Sequence, residues 1–181
     1  MDRRNLLQIL AASPFAARFA SGQHAHEAAH LDLQNYKPRL LKPDEYAFLI
    51  AFCDVLIPAD AESGGAVQAG VPYFVDTILF HSDEAVRNSW QNGFEKTRAF
   101  VSERFGADLA ALSERPREQA IEELLRNEVS PVSEQDHFIK RLKQSIIDGY
   151  FVSQVGFDHL HYTGNRAIGD FPGCTHPEHQ P

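Results

Sequence analysis

The residues in this 181-residue sequence best suited to chemistry are its nine histidines, six of which fall into groups. His26 and His30 stand four apart, His159 and His161 two apart, and Cys174, His176 and His179 cluster near the end of the chain. Imidazole and thiolate are ordinary zinc ligands, but a site needs three or four of them held in fixed geometry. These groups lie in stretches without helical period, so they read as solvated polar residues near the termini. Asp60 and Glu62 form a second candidate pair; in a turn rich in Gly and Ser they read as capping carboxylates rather than as an acid-base couple. No motif joins a His to a Ser or Cys as base and nucleophile.

The common cofactor and phosphate signatures are missing too. The sequence contains no Gly-x-Gly-x-x-Gly, no Walker loop, no Gly-x-Ser-x-Gly elbow and no His-Glu-x-x-His. Gly64-Gly65 sits in "IPADAESGGAVQAGVPYFVD", residues 57–76, a long turn between two apolar runs. A phosphate cradle there would need a helix N-terminus with a nearby lysine or nest, and Pro72 removes one backbone donor. The formal net charge of −8, with no basic stripe, argues against nucleic acid as a partner. What remains is a protein that packs and binds rather than one that catalyses.

The elements that must position these residues are helical. At this length and 43% hydrophobic content the chain suits one domain with a real core. Pro43, then Asp44 and Glu45, opens a helix in which Tyr46, Leu49, Ile50, Cys53, Leu56 and Ile57 recur at helical spacing, with Phe48, Phe52 and Val55 covering the other side; Pro58 ends it. Pro72 suits the first turn of a short second helix carrying Phe74, Val75, Ile78 and Leu79. A third runs from Asp83 to Phe105 with Val86, Trp90, Phe94, Thr97, Val101 and Phe105 in step, and Gly106 stops it. Gly93 inside that helix costs about 1 kcal/mol against Ala and is read as the mark of a close helix crossing. A single turn over 107–112, a fourth helix over 116–128 and a fifth opening at Ser133 with a Ser-x-x-Asp cap complete the body. No stretch alternates long enough to make a strand. The fold class expected is all-α, one small domain of about five helices over 43–154.

Flanking segments differ in character. Residues 1–22 carry Arg3 and Arg4 ahead of an apolar, Ala-rich run that is too short and too broken to span a bilayer. Arg3-Arg4-x-Leu6-Leu7 resembles a twin-arginine export signal, and small residues at Ala20 and Gly22 allow cleavage after Gly22. Removing that segment takes away three arginines and one aspartate, which moves the charge from −8 to −10. Residues 23–42 read as an extended arm. Residues 155–181 read as an irregular tail, yet they hold Phe157, Leu160, Tyr162, Ile168 and Phe171, too much apolar surface to leave in water. Such a tail is expected to wrap a partner. Of the two cysteines, Cys53 falls on the inner face of the first helix, whereas Cys174 lies in the tail and is suited to bonding with another chain in an oxidising compartment.

Taken together, the twin arginines, "IPADAESGGAVQAGVPYFVD" and "GYFVSQVGFDHLHYTGNRAIGDFPGC" resemble the gluconate 2-dehydrogenase subunit 3 family over most of residues 43–174. The resemblance implies the small, or gamma, subunit of a bacterial flavin sugar or sugar-acid dehydrogenase, with no cofactor of its own. It implies a large subunit of the glucose-methanol-choline type that carries FAD and the chemistry, and a multihaem cytochrome c subunit that takes the electrons. The small subunit's signal would carry the folded pair through the twin-arginine translocase to the periplasm, where the complex associates with the inner membrane. By the same resemblance Pro58, Asp60, Gly64, Gly70 and Pro72 form a fold-setting corner, and Phe157, Tyr162, Phe171, Pro172 and Cys174 belong to the partner-binding tail. Two other readings stand beside it: a stand-alone exported metal-binding protein or small enzyme built on the His-rich ends, and a free-standing export chaperone.

Overall fold

The computed structural model describes residues 35–162, and the packed unit within them begins at Tyr36. Among the described residues there is no strand. The helices are α1 (Pro43–Leu56), α2 (Val71–His81), α3 (Glu84–Phe105), α4 (Glu114–Leu125), α5 (Glu134–Phe151) and α6 (Gln154–His159), with a 3-10 turn at Leu109–Ala111 between α3 and α4. The all-α expectation holds.

Local chemistry sets the ends of these helices. Pro43 is the first helical residue of α1, where its missing N–H costs nothing, and the Glu45 carboxylate accepts the Lys42 backbone N–H at 2.9 Å. Asp83 caps α3 by accepting from Val86 N–H at 2.8 Å, and Gly106 closes it at φ +82°, a left-handed conformation that glycine adopts without a Cβ penalty. Ser133 and Asp136 satisfy each other's backbone N–H groups at the start of α5, at 3.1 and 2.9 Å. The Ser133 hydroxyl, with the backbone N–H groups of Val132 and Ser133, holds the Asp136 carboxyl below the usual range.

Packing then follows the apolar faces. Phe94 meets Phe48 edge-on at 6.1 Å and Phe138 at 5.2 Å, while Trp90 stands at 5.6 Å from Phe138, so α1, α3 and α5 share one aromatic centre. Gly93 is the crossing point, as the sequence reading had it: a Cβ there would lie 2.2 Å from the Phe138 ring. In α1 the buried face is centred on Phe48, Leu49, Phe52 and Cys53, and Ile50, expected in the apolar stripe, faces outward. Arg98 ties three pieces together, with Nη1 2.7 Å from Asp44 and Nε 2.7 Å from Asp108.

Two segments differ from the sequence expectation. Residues 36–42, read as the end of an extended arm, are irregular but form a strap fixed to α2. The buried carboxylate of Asp76 accepts the Tyr36 hydroxyl and the backbone N–H groups of Arg39 (2.7 Å), Leu40 (3.1 Å) and Leu41 (2.8 Å). Tyr36 also packs edge-on against Tyr73 at 4.8 Å, and the Arg39 guanidinium sits 3.8 Å over the Phe80 ring. The strap therefore covers one face of α2, that of Tyr73, Asp76 and Phe80. The second difference is α6, which begins at Gln154, the last residue of the expected helical domain, and carries helix to His159 inside the segment expected to be irregular.

Candidate partner-binding site

The corner after α1 is a loop stitched to itself. Asp60 Oδ1 accepts the backbone N–H groups of Glu62 (2.8 Å) and Ser63 (2.7 Å), an Asx-type turn that holds its carboxyl below the usual range, with His159 adding favourable charge. Ala66 N–H donates to Ile57 O at 2.9 Å and Val71 N–H to Ala66 O at 3.0 Å, which folds the loop back beneath the end of α1. A Cβ on Gly65 would lie 2.5 Å from Ala59 N and 2.6 Å from Ile57 O, so the return passes only with glycine. Gly70, at φ +75°, then launches α2, with Pro72 in its first turn. Asp60 is thus a turn carboxylate. Pro58 and Asp60 are exposed, Gly64 is half-buried, and Gly70 and Pro72 are buried.

α5 and α6 close against this corner. The Tyr150 hydroxyl donates to Gly64 O at 3.1 Å, and Val155 stands where a Cβ on Gly64 would meet it at 3.1 Å. Gly149 lets α5 approach α2 closely, since a Cβ there would be 2.7 Å from Phe74. Ser153 caps α6 by accepting Gly156 N–H at 3.0 Å, and its own hydroxyl donates to Tyr150 O at 2.6 Å. A Cβ on Gly156 would lie 2.1 Å from Tyr150 O, so glycine is what allows the chain to fold back after α5.

The two motifs separated by some 80 residues of sequence therefore meet, the corner on one side and the start of the tail on the other. Phe157 is half-buried and packs on Tyr162 at 5.4 Å, while Phe151, Val152, Leu160 and Tyr162 leave apolar surface exposed around α6. Scattered exposed apolar residues need no explanation, but four within twelve residues at the point where the tail departs mark a surface suited to protein contact. Arg3, Arg4, Phe171, Pro172 and Cys174 lie outside the described residues.

Among the described residues no three His, Cys, Asp or Glu side chains are grouped to hold a metal ion. Cys53 is buried, and burial first, with the nearby Asp54 charge, pushes its thiol well above the ordinary value, away from the reactive thiolate. Among the described residues no helix is long and apolar enough to cross a membrane. Sequence reasoning found the corner residues but missed the convergence on α6 and the strap. The signal available for the strap was Asp76 itself, a lone carboxylate inside the apolar run of α2.

The strap lies upstream of the part of the chain that a family comparison recognises. The family model of gluconate 2-dehydrogenase subunit 3 matches residues 43–173, from the first residue of α1 into the tail. No curated protein and no solved structure matches. With well over half of its length matched, including the first motif whole and the second up to Gly173, the chain belongs to the gluconate 2-dehydrogenase subunit 3 family and is a subunit-type component of a dehydrogenase complex.

Proposed function

We propose that this chain is the non-catalytic small subunit of a periplasmic, FAD-dependent sugar or sugar-acid dehydrogenase associated with the inner membrane. Its role is to carry a folded large subunit of the glucose-methanol-choline type through the twin-arginine translocase and to stabilise it afterwards. FAD belongs to that large subunit, and a multihaem cytochrome c accepts the electrons. The observation that carries the reading is the junction of corner and tail, two self-stabilised elements meeting at an exposed apolar surface beside a turn carboxylate engaged by its own backbone. Cys174, in the tail, tethers the pair by a disulfide to the large subunit and raises the effective concentration of the tail at its site.

Assays of the purified chain and of the co-expressed pair, with sugars, sugar acids and an artificial electron acceptor, test this. Turnover is expected from the pair alone, and turnover by this chain without the large subunit would defeat the reading. Replacing Arg3 and Arg4 by Lys should leave the dehydrogenase in the cytoplasm, because recognition depends on the guanidinium pair and not on charge alone. On a non-reducing gel the exported pair should run at the summed mass and Cys174→Ser should abolish that band; separate migration of both would remove the tether.

A further inference from the structure

Helix α2 presents three faces. Val71, Val75 and Leu79 enter the core, and Tyr73, Asp76 and Phe80 receive the strap. Ile78 lies on neither and is 49% exposed, while Phe74 is half-buried against the edge of the core. Beside them an open cleft of about 110 Å³ runs between α2 and α5, with Phe74, Ile78, Leu79 and Trp90 as its apolar walls and Ser145 and Asp148 on the α5 side.

We propose that this cleft is the socket for one apolar anchor side chain of the large subunit, carried next to a lysine or arginine that pairs with Asp148. The inference rests on the assembly reading above and names the contact that makes it. Size is the first argument. Small-molecule sites usually enclose about 300–1,000 Å³, so a cleft of 110 Å³ accommodates a side chain rather than a ligand. Charge is the second. Asp148 is exposed, is hydrogen-bonded by Gln144 at 2.8 Å, and among the described residues forms no ion pair; no cation lines the cleft. An incoming base would therefore find a carboxylate without competition, on a chain whose net charge is −8. Position is the third. Gly149, next to Asp148, is where α5 closes on Phe74, and Phe151 and Val152 follow directly toward the junction with the tail, so one partner lying along α5 spans both surfaces. A buried anchor in a small pocket ringed by polar groups is how interfaces concentrate their binding energy.

The test uses the full chain and an FAD-binding large subunit of the glucose-methanol-choline type, with the dissociation constant measured by titration calorimetry. Ile78→Glu and Ser145→Phe, the one charging the wall and the other filling the cleft, should each weaken binding about tenfold or more. Asp148→Lys, a rim change that leaves the core untouched, should weaken it about three- to tenfold. Val129→Glu, at an exposed position in the connection between α4 and α5, serves as control and should change nothing. Unchanged melting temperatures establish that the variants fold; should the two wall variants fail to fold, Asp148→Lys decides. Wild-type affinity retained within about twofold by the folded variants overturns the socket while leaving the assembly reading intact. Absence of binding by the wild-type chain overturns both. A wild-type dimer in sedimentation that Ile78→Glu dissociates shows that a second copy fills the cleft, and also overturns the proposal.

Discussion

Tyr36 donates its phenolic hydrogen to Asp76, a fully buried carboxylate 40 residues further along the chain. Three backbone N–H groups of the strap end on the same side chain. Asp76→Ala leaves those donors without an acceptor and is expected to cost about 2–4 kcal/mol, because hydrogen bonds to an ionised group and unsatisfied donors are both costly. Tyr36→Phe removes one bond and should cost about 1 kcal/mol. Urea unfolding measures both, and equal midpoints for Asp76→Ala and the wild type would show that the strap contributes nothing to stability.

The same contact gives an alkaline pH dependence. Burial first, then the hydrogen bond to Asp76 and its charge, raises the Tyr36 hydroxyl well above the ordinary tyrosine value of about 10. Burial and the Asp76 charge push Tyr46 up to about 12. The folded state holds these protons more tightly than the unfolded chain, so their stabilising effect is complete below about pH 10 and is lost as pH rises above it. Urea midpoints between about pH 9 and 11 should fall for the wild type and fall less steeply for Tyr36→Phe. Parallel curves would remove Tyr36 from the account.

Gly93→Ala tests the crossing of α3 and α5. Helix propensity favours the change by about 1 kcal/mol, but the added methyl would occupy the space of the Phe138 ring. Overpacking should win, with a net loss of about 1–3 kcal/mol. Adding Phe138→Leu should recover part of that loss, and thermal melts of the four proteins give the coupling directly.

The corner separates its two adjacent glycines. At Gly64 a Cβ would meet only the end of the Val155 side chain, at 3.1 Å, which can move. At Gly65 it would meet backbone atoms of Ile57 and Ala59, which cannot. Gly65→Ala should therefore destabilise by about 1–3 kcal/mol and Gly64→Ala by about 0.5 kcal/mol or less. Equal effects in a denaturant series would mean that the corner relaxes more freely than its geometry implies.

The five longer helices were legible because their signals are local. Asp83, Ser133 and Gly106 act within one turn of themselves, and the period of Trp90, Phe94, Thr97 and Val101 is written along one helix. Ile50 was misplaced because α1 has apolar residues on most sides, so period alone does not orient it. The strap was not legible, since the side chains that fix it, above all Asp76, belong to α2, some 35–40 residues away. α6 is six residues long, too short to show a period, and depends on Gly156 clearing Tyr150 O. At the candidate site the corner residues could be named through the family resemblance, but their meeting with Tyr150 and Val155 is a tertiary fact.

The strap also orders events in time. Synthesis runs from the N-terminus, so Tyr36, Arg39, Leu40 and Leu41 leave the ribosome well before Asp76 has been made. Until α2 has been translated and has turned its carboxylate toward them, their donors have only water to bind. The earliest part of the packed body to be synthesised is in this way held back from its final place until one residue of α2 arrives to close it.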